Sequence, residues 1–309
     1  MQKERGANPR LPRNGDAARL SPVYCNRRRR TSEGKNRAFF LREEGFFMKY
    51  LAALCLLFSA AAANAARVVS LMPSYTEIIF ALGAGKDLVG VSNFCDYPPE
   101  AAKIQKTGDY LRPNVEKIYS LKPDLVFAGD WASGTTAGQL SRLGVKVALL
   151  PEEKSVADIY RTIRLIAARL DRREEGEKLV KKLKASLPPP PEGKPVRVYI
   201  EADSGGWTAG GDSFLSDAVA KAGGANVFGK EKRGYFQADW EDVLLMDPQA
   251  VILLSGTKKD FVSRPMAKDM AAVRSGLIIT GLDRDAFSRP GPRLFGEIKK
   301  LSGLLHAEK

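Results

Sequence analysis

From Ser155 to Leu187 the chain runs without a proline and is rich in Arg, Lys, Glu, Leu and Ala. Apolar residues recur there at Ile159, Ile163, Ile166 and Leu170, the spacing of one buried stripe along a helix. About 33 residues of nearly continuous helix are predicted, roughly 50 Å if unbroken, with Gly176 as a place for a bend. Pro188 to Pro191 then end it, because proline lacks the donor a helix needs. A helix of this length between two other series of elements acts as a stiff strut. Wide hinge closure is not expected of such a molecule.

The two flanks are of one kind, with short apolar runs alternating with helical segments, as in parallel α/β units. Before the strut the strand candidates are Val68 to Leu71, Leu88 to Val91, Leu125 to Ala128 and Val147 to Leu150. After it they are Val196 to Ile200, Val251 to Leu254 and Leu277 to Thr280. Within the first unit Ser74 and Glu77 have capping-box spacing, Ile78, Ile79 and Leu82 supply a buried stripe, and Gly83 stops the helix. The expected fold class is therefore α/β: two Rossmann-like lobes joined by one long rigid helix, to which the family resemblance given below adds a ligand cleft between them.

Ahead of the first strand lies an export signal. Met48-Lys49-Tyr50 is a short cationic start, Leu51 to Ala63 is mostly apolar, and Ala63-Asn64-Ala65 is a small-x-small cleavage site. The apolar run of 13 residues rises only about 20 Å as a helix, short of the roughly 30 Å of hydrocarbon a span must cross. Cys55 follows Leu54, where lipoprotein processing wants a small residue, so a soluble periplasmic product starting at Ala66 is expected. Residues 1–47 hold twelve Lys or Arg against five Asp or Glu, net +7 of the chain's +13. They show no helical or strand period, and the Arg27 to Arg30 run aside they read as an upstream start wrongly chosen or a disordered extension. The chain's basic balance is then no argument for nucleic-acid binding, and no such partner is expected. The layout is 1–47 extension, 48–65 signal, 66–153 N-terminal lobe, 154–190 linking helix and its Pro-rich end, and 191–309 C-terminal lobe. Of the three cysteines only Cys95 survives processing, so no intramolecular disulfide is available.

Catalysis finds little support in the residues. The one histidine, His306, lies in a terminal helix tail, which leaves no Ser-His-Asp triad and no histidine cluster for a metal. No Gly-x-Gly-x-x-Gly or phosphate loop occurs, and Gly210 to Ser213 reads as a turn entering a helix capped by Asp212 or Ser213. No catalytic residue, metal site or cofactor is assigned.

Six segments carry a family resemblance: Arg67 to Gly83 (RVVSLMPSYTEIIFALG), Val89 to Pro99 (VGVSNFCDYPP), Asn114 to Val126 (NVEKIYSLKPDLV), Ala222 to Phe228 (AGGANVF), Trp240 to Ile252 (WEDVLLMDPQAVI) and Ser288 to Arg293 (SRPGPR). In this order and spacing, spanning Arg67 to Leu305, the chain resembles the class III periplasmic binding proteins, which feed ABC importers of cobalamin, ferric siderophores and haem. The wording is most similar to the cobalamin-binding branch. The resemblance implies a receptor, monomeric when free, that holds a corrinoid flat between aromatic surfaces and delivers it to a permease dimer in the inner membrane.

Residue by residue, the resemblance implies stacking aromatics at Phe94 and Tyr110 in the first lobe, and Asp285 and Arg289 on the cleft edge of the second. Trp131 and Trp207 follow probable strand ends, where cleft loops of open α/β sheets belong. For any one of these aromatics, packing in the core is the competing account. Glu116 and Glu241 match the two surface glutamates that dock on permease arginines. Dipole stabilisation of a helix N-terminus is the plainer role for each. Within the family the single histidine speaks against receptors for bare zinc or manganese. Tyr75, Tyr97, Tyr110 and Tyr235 leave a haem ligand open, and Arg112, Arg233, Arg289 and Arg293 leave an anionic ferric chelate open. Cys95 reads as a small packing residue.

Overall fold

A computed structural model describes residues 66–189 and 192–307. The segment 1–47, the signal at 48–65 and part of the Pro188 to Pro191 stop lie outside the described residues. Strands β1 (Val68–Ser70), β2 (Leu88–Val91), β3 (Leu125–Gly129) and β4 (Val147–Leu150) form a wholly parallel sheet in the order β2-β1-β3-β4. Strands β5 (Val196–Glu201), β7 (Gly224–Asn226), β9 (Ala250–Leu253) and β10 (Ile278–Ile279) form a second parallel sheet, β10-β9-β5-β7. Read from its other edge, the second sheet repeats the winding of the first. Between β5 and β9 the chain also lays down an antiparallel ribbon of β6 (Trp207–Ala209) and β8 (Tyr235–Gln237), which no strand pattern announced.

Parallel sheets are covered on both faces, so successive residues enter different cores. Val68 and Phe127 of the first sheet, and Val198, Ile200 and Ile252 of the second, belong to one continuous apolar cluster that runs through both lobes. Their alternates face outward into separate cores, Val69, Val126 and Ala128 in one lobe and Tyr199, Val251 and Leu253 in the other. Helix α1 (Pro73–Ala81) buries Ile78 and Ile79 in the shared cluster, and Leu82 follows them; Gly83 closes the helix at φ 75°, where the absence of a Cβ removes the steric cost. The expected Ser74–Glu77 capping box does not form. Met72 is the N-cap, Pro73 takes the first turn, Ser74 Oγ is buried without a hydrogen-bond partner, and Glu77 bonds elsewhere.

Helices α2 (Val115–Ser120) and α3 (Asp130–Arg142) complete the N-lobe. The linking region is helical as its pattern predicts, but it is two helices rather than one strut: α4 (Val156–Arg169) and α5 (Arg173–Ser186). Asp171 takes a left-handed conformation at φ 55°, and the chain turns back on itself. Arg164 Nε meets Glu177 Oε1 at 2.7 Å and Lys184 stands 5.2 Å from the centre of the Tyr160 ring. In an unbroken helix residues 13 positions apart would lie roughly 20 Å from each other. Gly176 is the contact point of this hairpin, since a Cβ there would come within 2.6 Å of Ala167 Cβ. The apolar period ran on through the turn because both helices bury one stripe against the same body.

Helix α4 itself joins the lobes. Ile159, Ile163 and Ile166 enter the shared cluster, Tyr160 packs on Phe295 at 5.4 Å between ring centres, and the Val156 N–H donates to Asp217 Oδ2 at 2.8 Å. Asp217 lies on α6 (Phe214–Lys221), whose N-cap is Ser213, bonded to the Leu215 N–H. The C-lobe continues with α7 (Trp240–Met246), α8 (Lys258–Val262), α9 (Ala271–Ser275), α10 (Arg284–Ser288) and α11 (Leu294–Leu305), which supplies Phe295.

Candidate functional site

In a parallel α/β sheet the loops after the strands' carboxyl ends form the binding edge. Phe94 follows β2, Trp131 follows β3, Trp207 follows β5, and Asp285 and Arg289 follow β10. Glu116 and Glu241 stand in the first turns of α2 and α7, each of which runs back toward the next strand's start, so their helix N-termini lie at the same edges.

In the N-lobe, Phe94 is 52% exposed and meets Tyr110 edge-to-face, with ring centres 5.8 Å apart and planes at 62°. The Asp109 carboxylate accepts from the Leu111 and Arg112 N–H groups at 2.8 and 2.6 Å, and this local turn fixes the backbone that carries Tyr110. The structure thus brings these two aromatics together. Trp131 lies in the first turn of α3, and its side chain is outside the described residues. In the C-lobe, Trp207 stands on β6 rather than in a loop. Its cross-strand partner is Gln237, and Ala209 pairs with Tyr235. Directly paired residues share a face, so Trp207 and Tyr235, 47% and 44% exposed, present aromatic surface on the same side of the ribbon.

Arg289 does not stand free. It binds Asp96 Oδ1 at 2.6 Å, lies 3.3 Å from Asp285 and 3.6 Å from Glu77, and so ties the Phe94–Tyr97 loop of the N-lobe to the C-lobe. Arg293 forms a second tie, bidentate to Glu77 at 2.7 and 3.0 Å, with its guanidinium 4.1 Å from the Tyr97 ring centre. Glu77 is buried, and two arginines answer its charge. The Arg289 hydrogen bond, working against a desolvation cost, holds the Asp96 carboxyl below its ordinary range. Burial tends to lower the Arg289 pKa, but Asp96, Asp285 and Glu77 outweigh it and raise the net value. The Glu77–Arg293 pair was missed in the sequence because Glu77 already had a local use as a helix cap, and a partner more than two hundred residues away leaves no spacing to read.

A second buried carboxylate sits on the crossover into α4. Glu153 accepts from Thr162 Oγ1 at 2.6 Å, and burial pushes its pKa up to about 7. Cys95 is buried beside Thr76 and Ser92 and its thiol is raised by burial, in keeping with a packing role. Glu116 and Glu241 are both exposed, each beside an N-cap: Asn114 accepts from the Lys117 N–H at 2.9 Å, whereas Asp239 makes no side-chain cap. His306 ends α11 and is exposed.

Two like-wound parallel lobes share a core, and each presents exposed aromatic surface, in a loop after β2 in one and on the β6–β8 ribbon in the other. The periplasmic binding protein profile matches residues 68–284, and the chain belongs to that family, one of substrate binding and transport that works with the permeases of ABC importers. It is 32% identical over 267 residues to a vitamin B12-binding protein of Vibrio vulnificus, covering 82% of this chain and 96% of that one. An uncharacterised ABC transporter substrate-binding lipoprotein of Bacillus subtilis, YvrC, is 30% identical, covering 78% and 80%. Among solved structures, the periplasmic haem-binding protein RhuT of Roseiflexus superposes with a TM-score of 0.68 at 27% identity, covering 78% and 98%.

Proposed function

We propose that this protein captures a cobalamin-like corrinoid between its lobes and delivers it to an inner-membrane ABC importer. The observation that carries the ligand is the pair of exposed aromatic surfaces, Phe94 with Tyr110 and Trp207 with Tyr235, one on each lobe. A large rigid macrocycle is held well by broad aromatic surface, and rigid partners lose little freedom on binding. The similarity to a vitamin B12-binding protein supports the same choice. Asp285 and Arg289 frame the edge of that site, and Trp131, in the first turn of α3, is assigned to it with them.

The same reading assigns residues 48–65 to an export signal and the receptor to the periplasm. Among the described residues no helix is long and apolar enough to cross a membrane. Glu116 and Glu241 are then the docking carboxylates: two charges held by one body must engage together, which raises the effective concentration of the second contact. The protein acts as a monomeric receptor with no chemistry of its own.

A haem reading has one specific support, the half-exposed Tyr97 as a candidate oxygen ligand, together with the likeness to RhuT. Titration of the purified protein with cyanocobalamin, haem and ferric siderophores separates the two, read by tryptophan fluorescence. Micromolar or tighter corrinoid binding is expected. Tight haem or siderophore binding without it rejects the corrinoid and leaves the receptor assignment standing.

A further inference from the structure

The seam between the lobes holds two arginine ties of unequal depth. Arg293 meets Glu77 in the interior, where the carboxylate is buried. Arg289 reaches further out. Its terminal nitrogens lie 2.6 and 3.3 Å from the two oxygens of Asp96, whose side chain is 56% exposed, while the arginine itself is 13% exposed. Asp285 and Glu77 stand 3.3 and 3.6 Å from the same guanidinium. One positive charge thus faces three carboxylates, so Arg289 is not free to answer the charge of a ligand. Its carbonyl accepts from the Gly291 N–H at 2.8 Å, and a Cβ on Gly291 would lie 3.4 Å from Glu77 Oε2, so this C-lobe loop packs directly on α1.

On the N-lobe side, Asp96 belongs to the loop that carries the aromatic face. Its neighbour Cys95 points inward, with Sγ beside Thr76 Oγ1 at 3.2 Å and Ser92 Oγ at 3.1 Å, and the Cys95 carbonyl accepts from Lys106 Nζ. The residues on either side of it, Phe94 and Asp96, both point outward. One short run of backbone therefore carries the Phe94 ring, pinned to the N-lobe at Cys95 and to the C-lobe at Asp96. The ring takes its place against Tyr110 from that backbone. An ion pair with one partner mostly in water adds little to global stability, and the buried Glu77–Arg293 pair remains without it. Binding is more sensitive, since a supporting contact that lets a binding group drift gives up its preorganisation.

We propose that Asp96 is a positioning residue: held by Arg289, it sets the Phe94 face at a fixed distance from the C-lobe, so that a flat macrocycle meets a preformed slot. The proposal rests on the reading that such a ligand lies between the two aromatic surfaces, and deepens it by assigning their separation to one ion pair across the seam.

The test is a double-mutant cycle of the purified protein, read by calorimetric titration with cyanocobalamin, with thermal melts of the unliganded variants alongside. Asp96→Asn keeps the shape of the side chain and removes its charge. It is expected to weaken binding about threefold to tenfold while lowering the melting temperature by less than about 3 °C. Phe94→Leu removes the flat face but keeps an apolar side chain. In that background Asp96→Asn is expected to change affinity by less than about twofold, because the face it positions is gone. A loss below about threefold from Asp96→Asn alone, or an equal loss with and without Phe94, overturns the proposal and leaves the macrocycle reading intact. A larger fall in melting temperature does the same, since the pair would then be a structural tie. Where haem binds in place of cyanocobalamin, the cycle is read with haem and judged the same way. If the unsubstituted protein binds neither, the macrocycle reading falls and the proposal falls with it.

Discussion

The N-lobe and the C-lobe build the same sheet, and the likeness reaches single residues. Asn114 to Val126 and Asp239 to Val251 each open a short helix, place a glutamate in its first turn, bury the branched residue two further on, and close on a left-handed residue before proline. Lys122 and Asp247 hold those last positions, at φ 46° and 38°. The lobes part company in two places. Only the C-lobe, among the described residues, adds a ribbon beyond its parallel sheet, and that ribbon bears Trp207 and Tyr235. At the seam the N-lobe contributes carboxylates, Glu77 and Asp96, while the C-lobe contributes the arginines. The winding follows from packing rules that hold for any such sheet. What distinguishes one receptor from another is added at the carboxyl edges and in the sign of charge where the lobes meet.

Breaking the seam from its N-lobe side tests this division most severely. Glu77 is buried with a bidentate arginine, and removing one member of a buried pair strands the other. Glu77→Ala is expected to cost about 3 to 5 kcal/mol in urea unfolding, toward the lower end because Asp96, Asp283 and Asp285 still face the two arginines. A loss below about 1 kcal/mol would show that the shared apolar cluster alone holds the lobes together.

Glu153, the N-lobe's other buried carboxylate, has no arginine partner, and its signature is a dependence on pH. Its pKa is raised in the folded state, to about 7 from an ordinary 4.5, because burial disfavours the charge. The native state therefore binds the proton more strongly than the unfolded chain, so stability falls as pH rises from 4.5 to about 7 and then levels off. Between pH 5 and pH 8 this amounts to about 2 kcal/mol. Glu153→Gln should remove that slope, gaining on the unsubstituted protein at pH 8 far more than at pH 5. Parallel urea curves at the two pH values for both proteins would refute the assignment.

Most of the frame was legible from residues. Leu88–Val91 and Val147–Leu150 have the bounds their apolar runs predict, and Gly83 and Ser213 end and begin helices as expected. Such features are local: a run, a cap or a stop acts within a few residues. The hairpin at Asp171 was not legible, because a left-handed aspartate leaves the helical period of its neighbours intact. The ribbon was hidden for a related reason, since three-residue strands around glycines carry too little alternation to register. Of the site, aromatics and arginines were visible as candidates, yet the partners of Arg289 and Arg293 come from a distant segment and only folding reveals them.

The smallest expected effect bears on the likeness itself. A non-glycine residue in the left-handed region costs about 1 kcal/mol, part of which glycine returns through its freer unfolded chain. Lys122 makes only backbone use of its turn, offering its carbonyl to Arg67 Nε at 3.2 Å, so Lys122→Gly should raise the melting temperature slightly, by about 0.5 kcal/mol in equivalent stability. Asp247 uses its side chain as well: Oδ1 accepts from the Ala271 N–H at 2.7 Å and so fastens α9 to the turn. Asp247→Gly gains the same backbone relief but loses that bond, worth about 1 kcal/mol, and should lower stability. Opposite signs in matched thermal melts would mean that the C-lobe has recruited a shared turn as an anchor. Shifts of the same sign would mean that the two turns are equivalent in energy as well as in shape, and that the lobes differ only at the ribbon and the seam.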